Sequence, residues 1–461
     1  MPLLLGIDLG TSYFKVGLFD ATGAVHGLGR VAVEKQSPLP GRSELPVSEF
    51  WRLLRAGLNE ALAQANARAS DIVGVSYSSQ ANTMVLLDND DTPLTPLIIW
   101  NDQRAAPSGL EVDAYSRTNE FHRATGFAGL TAEFAVVKWR WYQAHEPEVW
   151  ARSAKVMTLA DYFTYMLTGE RVGDASTAAL TGLYSTADRE WWPKAREYFA
   201  VPFSALSQPL RPGTPGLWTT GRAPELLGLR PRVCFAVGGL DHYMAALGSG
   251  IGRLADASIS TGTVLSALTL VDEIAEVAGC YHGPHFDGRF YRLSFDPAGA
   301  GQLEEYQRQS APHLSVTELV TLASALPSAI SLTTLPGEDD DSRHGLIIRG
   351  IMERISEIQR TLLHRLNDRH DFSRVIATGG GARSNYWLQI NANILNATII
   401  APRCHERACL GAAAFAAVAA GLFPNISQAL DAMVHSDRVV EPQSAGVALY
   451  ADLRSRLRQP Q

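Results

Sequence analysis

An acid in the middle of an apolar strand is the first residue of this chain that calls for chemistry. In GIDLGTSYFKVGLFD, Asp8 follows Leu3, Leu4, Leu5 and Ile7, which read as a buried β-strand. A carboxylate set there costs several kcal/mol of desolvation unless something pairs with it. Gly10 and Thr11 follow as a turn, able to offer backbone N–H groups and a hydroxyl to a phosphate while the acid holds a divalent cation through water. A hairpin whose Asp is simply hydrogen-bonded at its turn is the plainer alternative. The pattern recurs, however. From Ala257 the stretch ASISTGTVLSALTL reads as strand, Thr261-Gly262-Thr263 turn and strand, as a duplicated fold would produce, and two such turns can hold one polyphosphate. A third candidate is the strand Arg374 to Thr378, running into Gly379-Gly380-Gly381-Ala382-Arg383-Ser384-Asn385 with a helix from Tyr386. Three glycines let a ligand lie against the backbone, and the helix start favours anions. The G-x-G-x-x-G spacing of dinucleotide folds is absent.

The elements that must position these residues alternate. Strands over Val16 to Phe19 and Ala24 to Gly27 precede a helix over Ser48 to Ala67, with apolar Phe50, Leu53, Leu54, Leu58 and Leu62 on one face. Strands over Ile72 to Tyr77 and Thr83 to Asp88 come next, and Glu133 to Gly169 reads as two helices. A strand at CFAVGG leads to a helix over Leu240 to Gly248 that begins with Asp241. Alternating strands and helices predict an α/β protein. At 461 residues the chain is too long for one ordinary core, so two domains are expected.

The totals exclude several classes. A net charge of −7 without any basic block argues against nucleic-acid binding. The longest apolar run, Ala408 to Phe423, falls short of the ~20 residues that span a bilayer and reads as a buried helix, so no membrane association is expected. The start of the chain lacks the layout of a signal peptide. Cys234, Cys280, Cys404 and Cys409 lie far apart or at spacings that make no metal knuckle, as expected of a reduced cytoplasmic protein. Cys280, His282 and His285 lie close in sequence, but no second cluster completes a metal site.

Seven ordered motifs resemble those of the FGGY carbohydrate kinases, the group that includes xylulokinases and glycerol kinases. They are Gly6-Ile-Asp-Leu-Gly-Thr-Ser12, Trp100-Asn-Asp-Gln-Arg104, Lys138-Trp-Arg-Trp141, Gly238-Gly-Leu-Asp-His242, Ser260-Thr-Gly-Thr263, Gly379-Gly-Gly-Ala-Arg-Ser-Asn385 and Ala408-Cys-Leu-Gly-Ala-Ala413. The resemblance runs from about residue 3 to residue 423. It implies two actin-like (ribonuclease-H-like) domains closing over a cleft, here 1–250 and 251–435, with a tail over 436–461. It implies ATP and Mg2+ as cofactors, a small sugar or polyol of the pentulose or hexulose class as substrate, and a homodimer as a compatible assembly. Asp8 would sit by the magnesium, through water, with Thr11, Ser12 and Lys15 at the phosphates. Gly262 and Thr263 would form the second phosphate turn, and Gly380, Gly381, Ala382 and Asn385 the adenosine loop. Asp241 maps onto the general base, although from the residue alone it could equally be a helix N-cap. Gln80, Asn82, Trp100, Asn101, Asp102 and Arg104, with Asp241, map onto the sugar site.

There are departures. Gln80-Ala-Asn82-Thr83 stands where xylulokinases carry Gln-Met-His-Gly, and glycerol kinases would show an Arg-Glu pair after the glutamine. Ala135 stands where the first family signature has Pro, Ser or Thr three residues before its lysine, and the Leu335 to Gly350 region is shorter than the family pattern. A silent relative with a regulatory role is the rival reading; an actin-like or chaperone ATPase is a second, and neither a filament nor a chaperone needs a polyol pocket.

Overall fold

The computed structural model describes residues 1–457 except 128, 263, 276, 297, 298, 300, 327–339 and 368–371. Two compact units share the same strand plan. In the first, β1 (Leu3–Leu9), β2 (Tyr13–Phe19), β3 (Val25–Ala32), β4 (Ile72–Ser79) and β5 (Cys234–Phe235) lie in the order β3-β2-β1-β4-β5. The hairpins are antiparallel, while β4 runs parallel to β1 and β5 parallel to β4. In the second, β6 (Ala257–Thr261), β7 (Leu265–Val271), β8 (Phe290–Asp296), β9 (Arg374–Gly379) and β10 (Thr398–Pro402) repeat that order as β8-β7-β6-β9-β10, with β11 (Ser436–Val440) added antiparallel at the edge. The duplicated α/β plan expected from the two Gly-Thr hairpins is therefore present.

The apolar residues do what their spacing predicts. Leu3, Leu5 and Ile7 of β1 join Phe50, Leu54 and Leu58 of helix α1 (Val47–Ala65) in one core. Between Glu133 and Gly169, where two helices were expected, three form: α2 (Ala135–His145), Pro147–Arg152 and Leu159–Thr168. A strand, Lys155–Thr158, separates the last two and pairs antiparallel with Met84–Leu87, because Val156 and Met157 bury fully there. The helix predicted from Ala408 runs as α5 (Arg407–Ala419). It lies so close to β1 that a Cβ on Gly6 would meet the carbonyl oxygen of Cys409 at 1.9 Å. It also packs on α3 (Asp241–Leu247), where a Cβ on Gly411 would come within 2.4 Å of the Met244 carbonyl oxygen.

This packing breaks the sequential division into 1–250, 251–435 and 436–461. The first unit comprises Met1–Gly248, Val271–Tyr291 and Cys404–Val434; the second comprises Ser249–Leu270, Arg292–Arg403 and His435–Gln461. The late segment bearing α5 joins the first unit because its Ala-Gly face buries on β1 and β4. The expected tail is no tail either, since β11 completes a sheet and α6 (Ser444–Leu457) packs on α4 (Asn385–Leu395). Of the shortened Leu335 to Gly350 region, residues 335–339 lie outside the described residues; from Asp340 the chain is the helix Asp340–Leu366, in which Arg349 pairs with Glu353 at 2.8 Å. Among the described residues no helix is long and apolar enough to cross a membrane.

Candidate active site

Asp8 has its partners. Register sets Lys15 of β2 and Ser78 of β4 on either side of it. The Ser78 hydroxyl donates to Asp8 Oδ1 at 3.0 Å, and Lys15 Nζ stands 3.6 Å from Oδ2. Lys15 is shared: its closer contact, 2.9 Å, is Glu406, the residue just before α5. Burial, opposed by Lys15 and reinforced by the negative charge of Asp241, pushes the Asp8 carboxyl up to about 6. The site thus has negative charge in excess of what Lys15 neutralises. Such a site suits a hard divalent cation held by carboxylate oxygens together with phosphates and water, rather than a cage made wholly of protein. Among the described residues no group of three or more candidate metal ligands forms.

Asp241 is the first residue inside α3 rather than its N-cap, which is Leu240. One carboxylate oxygen accepts the His242 N–H at 2.7 Å. Among the described residues it has no cation partner, so the second oxygen is available to a proton or a ligand. The Leu240 N–H is taken by the Ser176 hydroxyl at 2.8 Å, which anchors the turn before the acid.

The residues predicted to meet a sugar divide into three groups. Gln80, Asp102 and Arg104 are occupied by the protein. The Gln80 carbonyl accepts the hydroxyls of Thr11 (3.0 Å) and Thr83 (3.1 Å), and its amide donates to the Gly10 carbonyl at 3.2 Å, so it braces the phosphate turn. Asp102 and Arg104 are joined at 2.7 Å with both side chains sealed from solvent; Arg104 also donates to Glu44 and Tyr142 at 2.6 Å each. In this arrangement the pair shapes the segment, and none of its donors or acceptors faces outward. Trp100 is half-buried, its indole N–H donating to Thr11 Oγ1 at 2.8 Å. Lys138, fully buried, clamps the Trp100 carbonyl at 2.9 Å and the Glu133 carbonyl at 2.6 Å. Desolvation brings that ammonium down to about 7. Asn101 stands apart: its side-chain carbonyl is buried without a hydrogen bond, the unmet acceptor of this segment.

Asn82 and Ala135, two of the departures noted in the sequence, meet. Asn82 is left-handed, with φ 62, and its side-chain carbonyl accepts the Ala135 N–H at 3.0 Å. It thereby caps α2, whose own N-cap residue Phe134 supplies no side-chain bond. A proline at 135 would have had no N–H to offer. One lone pair of the Asn82 carbonyl is thus engaged in the cap, while its second lone pair and its amide N–H groups are not used by that bond.

In the second unit, strand register brings the Thr261 turn beside the glycine loop, with Thr261 opposite Gly379. Gly379 adopts φ 84, and a Cβ there would meet the Thr261 carbonyl oxygen at 2.2 Å, so only glycine fits. The Gly380 N–H donates to that same carbonyl at 2.9 Å. Thr263 lies outside the described residues. Beyond the loop opens a cavity of about 540 Å³, lined by Gly380, Gly381, Asn385, Tyr386 and Trp387 with Thr317 and Thr321 opposite. That volume falls within the range of small-molecule sites. Ser12 is exposed at the β1–β2 turn of the first unit.

Sequence reasoning missed Ser78, Glu406 and Arg438. Each touches a predicted site residue across a long separation, and nothing local to any of them announces it.

Comparison with known proteins identifies the family and the fold. The N-terminal domain model of the FGGY family of carbohydrate kinases matches residues 3–248, and its C-terminal domain model matches residues 203–420. The chain is 28% identical to an L-xylulose/3-keto-L-gulonate kinase of Escherichia coli strain K12, covering 97% of this chain and 94% of that protein. It is 26% identical to a xylulose kinase of Staphylococcus epidermidis, again over 97% and 94%. Among solved structures, a xylulose kinase from Rhodospirillum rubrum superposes with a TM-score of 0.84 at 23% identity, covering 98% of this chain and 97% of that one. A gluconate kinase from Lactobacillus acidophilus shares the fold at the same TM-score and 19% identity.

Proposed function

The chain belongs to the FGGY family of carbohydrate kinases, and from that premise we propose that it transfers the γ-phosphoryl group of ATP to a hydroxyl of a ketose, a pentulose or a related keto-sugar acid. The observation that carries the reading is the pair Asp8 and Asp241. One carboxylate is buried, hydrogen-bonded and half-neutralised; the other sits at a helix start with an oxygen unspent and close enough to raise the first. Two acids in such different surroundings suit two different tasks.

Asp241 takes the proton of the acceptor hydroxyl as that oxygen bonds to the γ-phosphorus and the bond to the ADP oxygen breaks. Asp8, with Ser78 and Lys15 holding its orientation, carries the negative charge that would hold the Mg2+ of the nucleotide; that ion, when bound, neutralises phosphate charge. Lys15 and the Gly10–Thr11 turn face the phosphates. The Trp100 indole packs against carbon–hydrogen faces of the sugar, and the amide of Asn101 supplies an acceptor that otherwise has none. In the second unit the cavity beside Gly380, Gly381 and Asn385 receives the adenosine, with Ala382 supporting it. Among the described residues the four cysteines form no disulfide, which is compatible with work in a reducing compartment such as the cytoplasm. The names of the relatives support a pentulose, and the E. coli relative's name adds a keto-sugar acid to the panel.

The test is ADP release by the purified protein with D- and L-ketopentoses, ketohexoses, aldonates and keto-sugar acids. Turnover well above the water-only rate with a ketose is expected. Activity with none of them overturns the proposal.

A further inference from the structure

We propose that Arg438 is a positioning residue for nucleotide binding: delivered by the edge strand β11, its guanidinium fixes the loop 382–385 beside the adenosine cavity. This rests on the reading that the cavity takes the adenosine of ATP.

Arg438 is opposite Ala401 in the β10–β11 ladder, so the strand holds its backbone in register. Its side chain then reaches the loop. One terminal nitrogen donates to the Ala382 carbonyl at 2.8 Å; the other donates to Asn385 Oδ1 at 2.7 Å and to the Arg383 carbonyl at 3.4 Å. Nε donates to Asp437 at 3.0 Å, which orients the fork. Arg438 does not itself line the cavity, whereas Arg383 and Asn385 do. It acts through them.

The loop has reason to need such a clamp. Two consecutive glycines, Gly380 and Gly381, lead into it, and glycine has more backbone freedom to lose than any other residue. Its internal bonds are long: Arg383 N–H to the Gly380 carbonyl at 3.2 Å and Ser384 N–H to the Gly381 carbonyl at 3.3 Å. A planar guanidinium reaching three acceptors within four residues replaces that freedom with one arrangement, and a lysine ammonium cannot reproduce the fork. Order present before binding need not be supplied at binding. Arg438 lies 18 residues beyond the end of the family-model match at residue 420, in the stretch that the sequence alone marks as a tail.

Calorimetric titration of the full chain with ADP, and steady-state kinetics with ATP and the best sugar, test this. Arg438→Ala should weaken ADP binding and raise the KM for ATP by about 10-fold, the order expected when charged hydrogen bonds to a binding loop are lost. The KM for the sugar should stay within about twofold of wild type, since the sugar residues proposed above lie in the first unit. Arg438→Lys, which keeps the charge and one contact, should fall between the two and decides the matter if the alanine variant does not fold. ADP affinity unchanged in both variants, or a sugar KM that rises in step with that for ATP, overturns the inference. A wild-type protein that turns over sugar but binds ADP without any change in Tyr386 and Trp387 fluorescence overturns the cavity assignment and the inference with it.

Discussion

Replacing Asp8 by Asn should make the protein more stable while disabling it. The folded carboxyl is raised from 3.8 to about 6, chiefly by burial. Between these values the folded state holds a proton that the unfolded chain has released, so ionised Asp8 opposes folding at every pH above the folded value. The difference of roughly two units corresponds to about 3 kcal/mol at pH 7.5. Asn keeps the size and can still accept the Ser78 hydroxyl, and Lys15 retains its closer partner Glu406 at 2.9 Å. The substitution therefore removes a destabilising charge without stranding its neighbours. Urea unfolding followed by tryptophan fluorescence, with EDTA present to exclude cations, should show a gain approaching 3 kcal/mol near pH 7.5 that shrinks to about one third near pH 4.5 and vanishes below pH 3.8. Magnesium-dependent phosphoryl transfer should be lost at all these pH values. A variant no more stable than wild type near neutrality, or a gain that does not diminish as pH falls, would show that Asp8 is not held at the cost inferred here.

Asp241→Asn should lower turnover by ~10²-fold or more while leaving ADP affinity nearly intact in calorimetry, because a general base supplies that order of rate and does not hold the nucleotide. Asn82→Ala should cost roughly 1–2 kcal/mol in urea unfolding, since it removes the cap on Ala135 N–H at 3.0 Å and puts at φ 62 an alanine, which tolerates the left-handed conformation less well than asparagine; a loss confined to sugar binding would return Asn82 to the substrate. Trp100→Phe keeps an aromatic face but deletes the donor to Thr11 at 2.8 Å, so the KM for ATP should rise by a few-fold along with that for the sugar, and an unchanged ATP value would show that the indole N–H does not brace the phosphate turn.

Much of this protein was legible along the chain. The apolar run around Asp8 and the apolar–polar alternation around Ile259 both favour strands, and Gly-Thr turns between such strands favour hairpins, so the duplicated α/β plan and the positions of Asp8, Asp241 and the Gly379–Gly381 loop could be read from local pattern. Family-like motifs then attached chemistry to those positions. What only the tertiary structure decided is which polar groups still have a free valence. Gln80, Asp102 and Arg104 look like ligands in sequence, yet Gln80 is bonded to Thr11 and Gly10, Asp102 to Ser43 and Arg104, and Arg104 to Glu44 and Tyr142, across separations of up to 70 positions. Asn82 and Ala135 are separate departures in sequence and one helix cap in space. Glu406 and Arg438 carry no local signal at all, because α5 packs on β1 from the other end of the chain and β11 completes a sheet that begins at Ala257. Local periodicity fixes where a side chain points; only packing fixes what it meets there, since hydrogen bonds and ion pairs form by distance in space and not by separation along the chain.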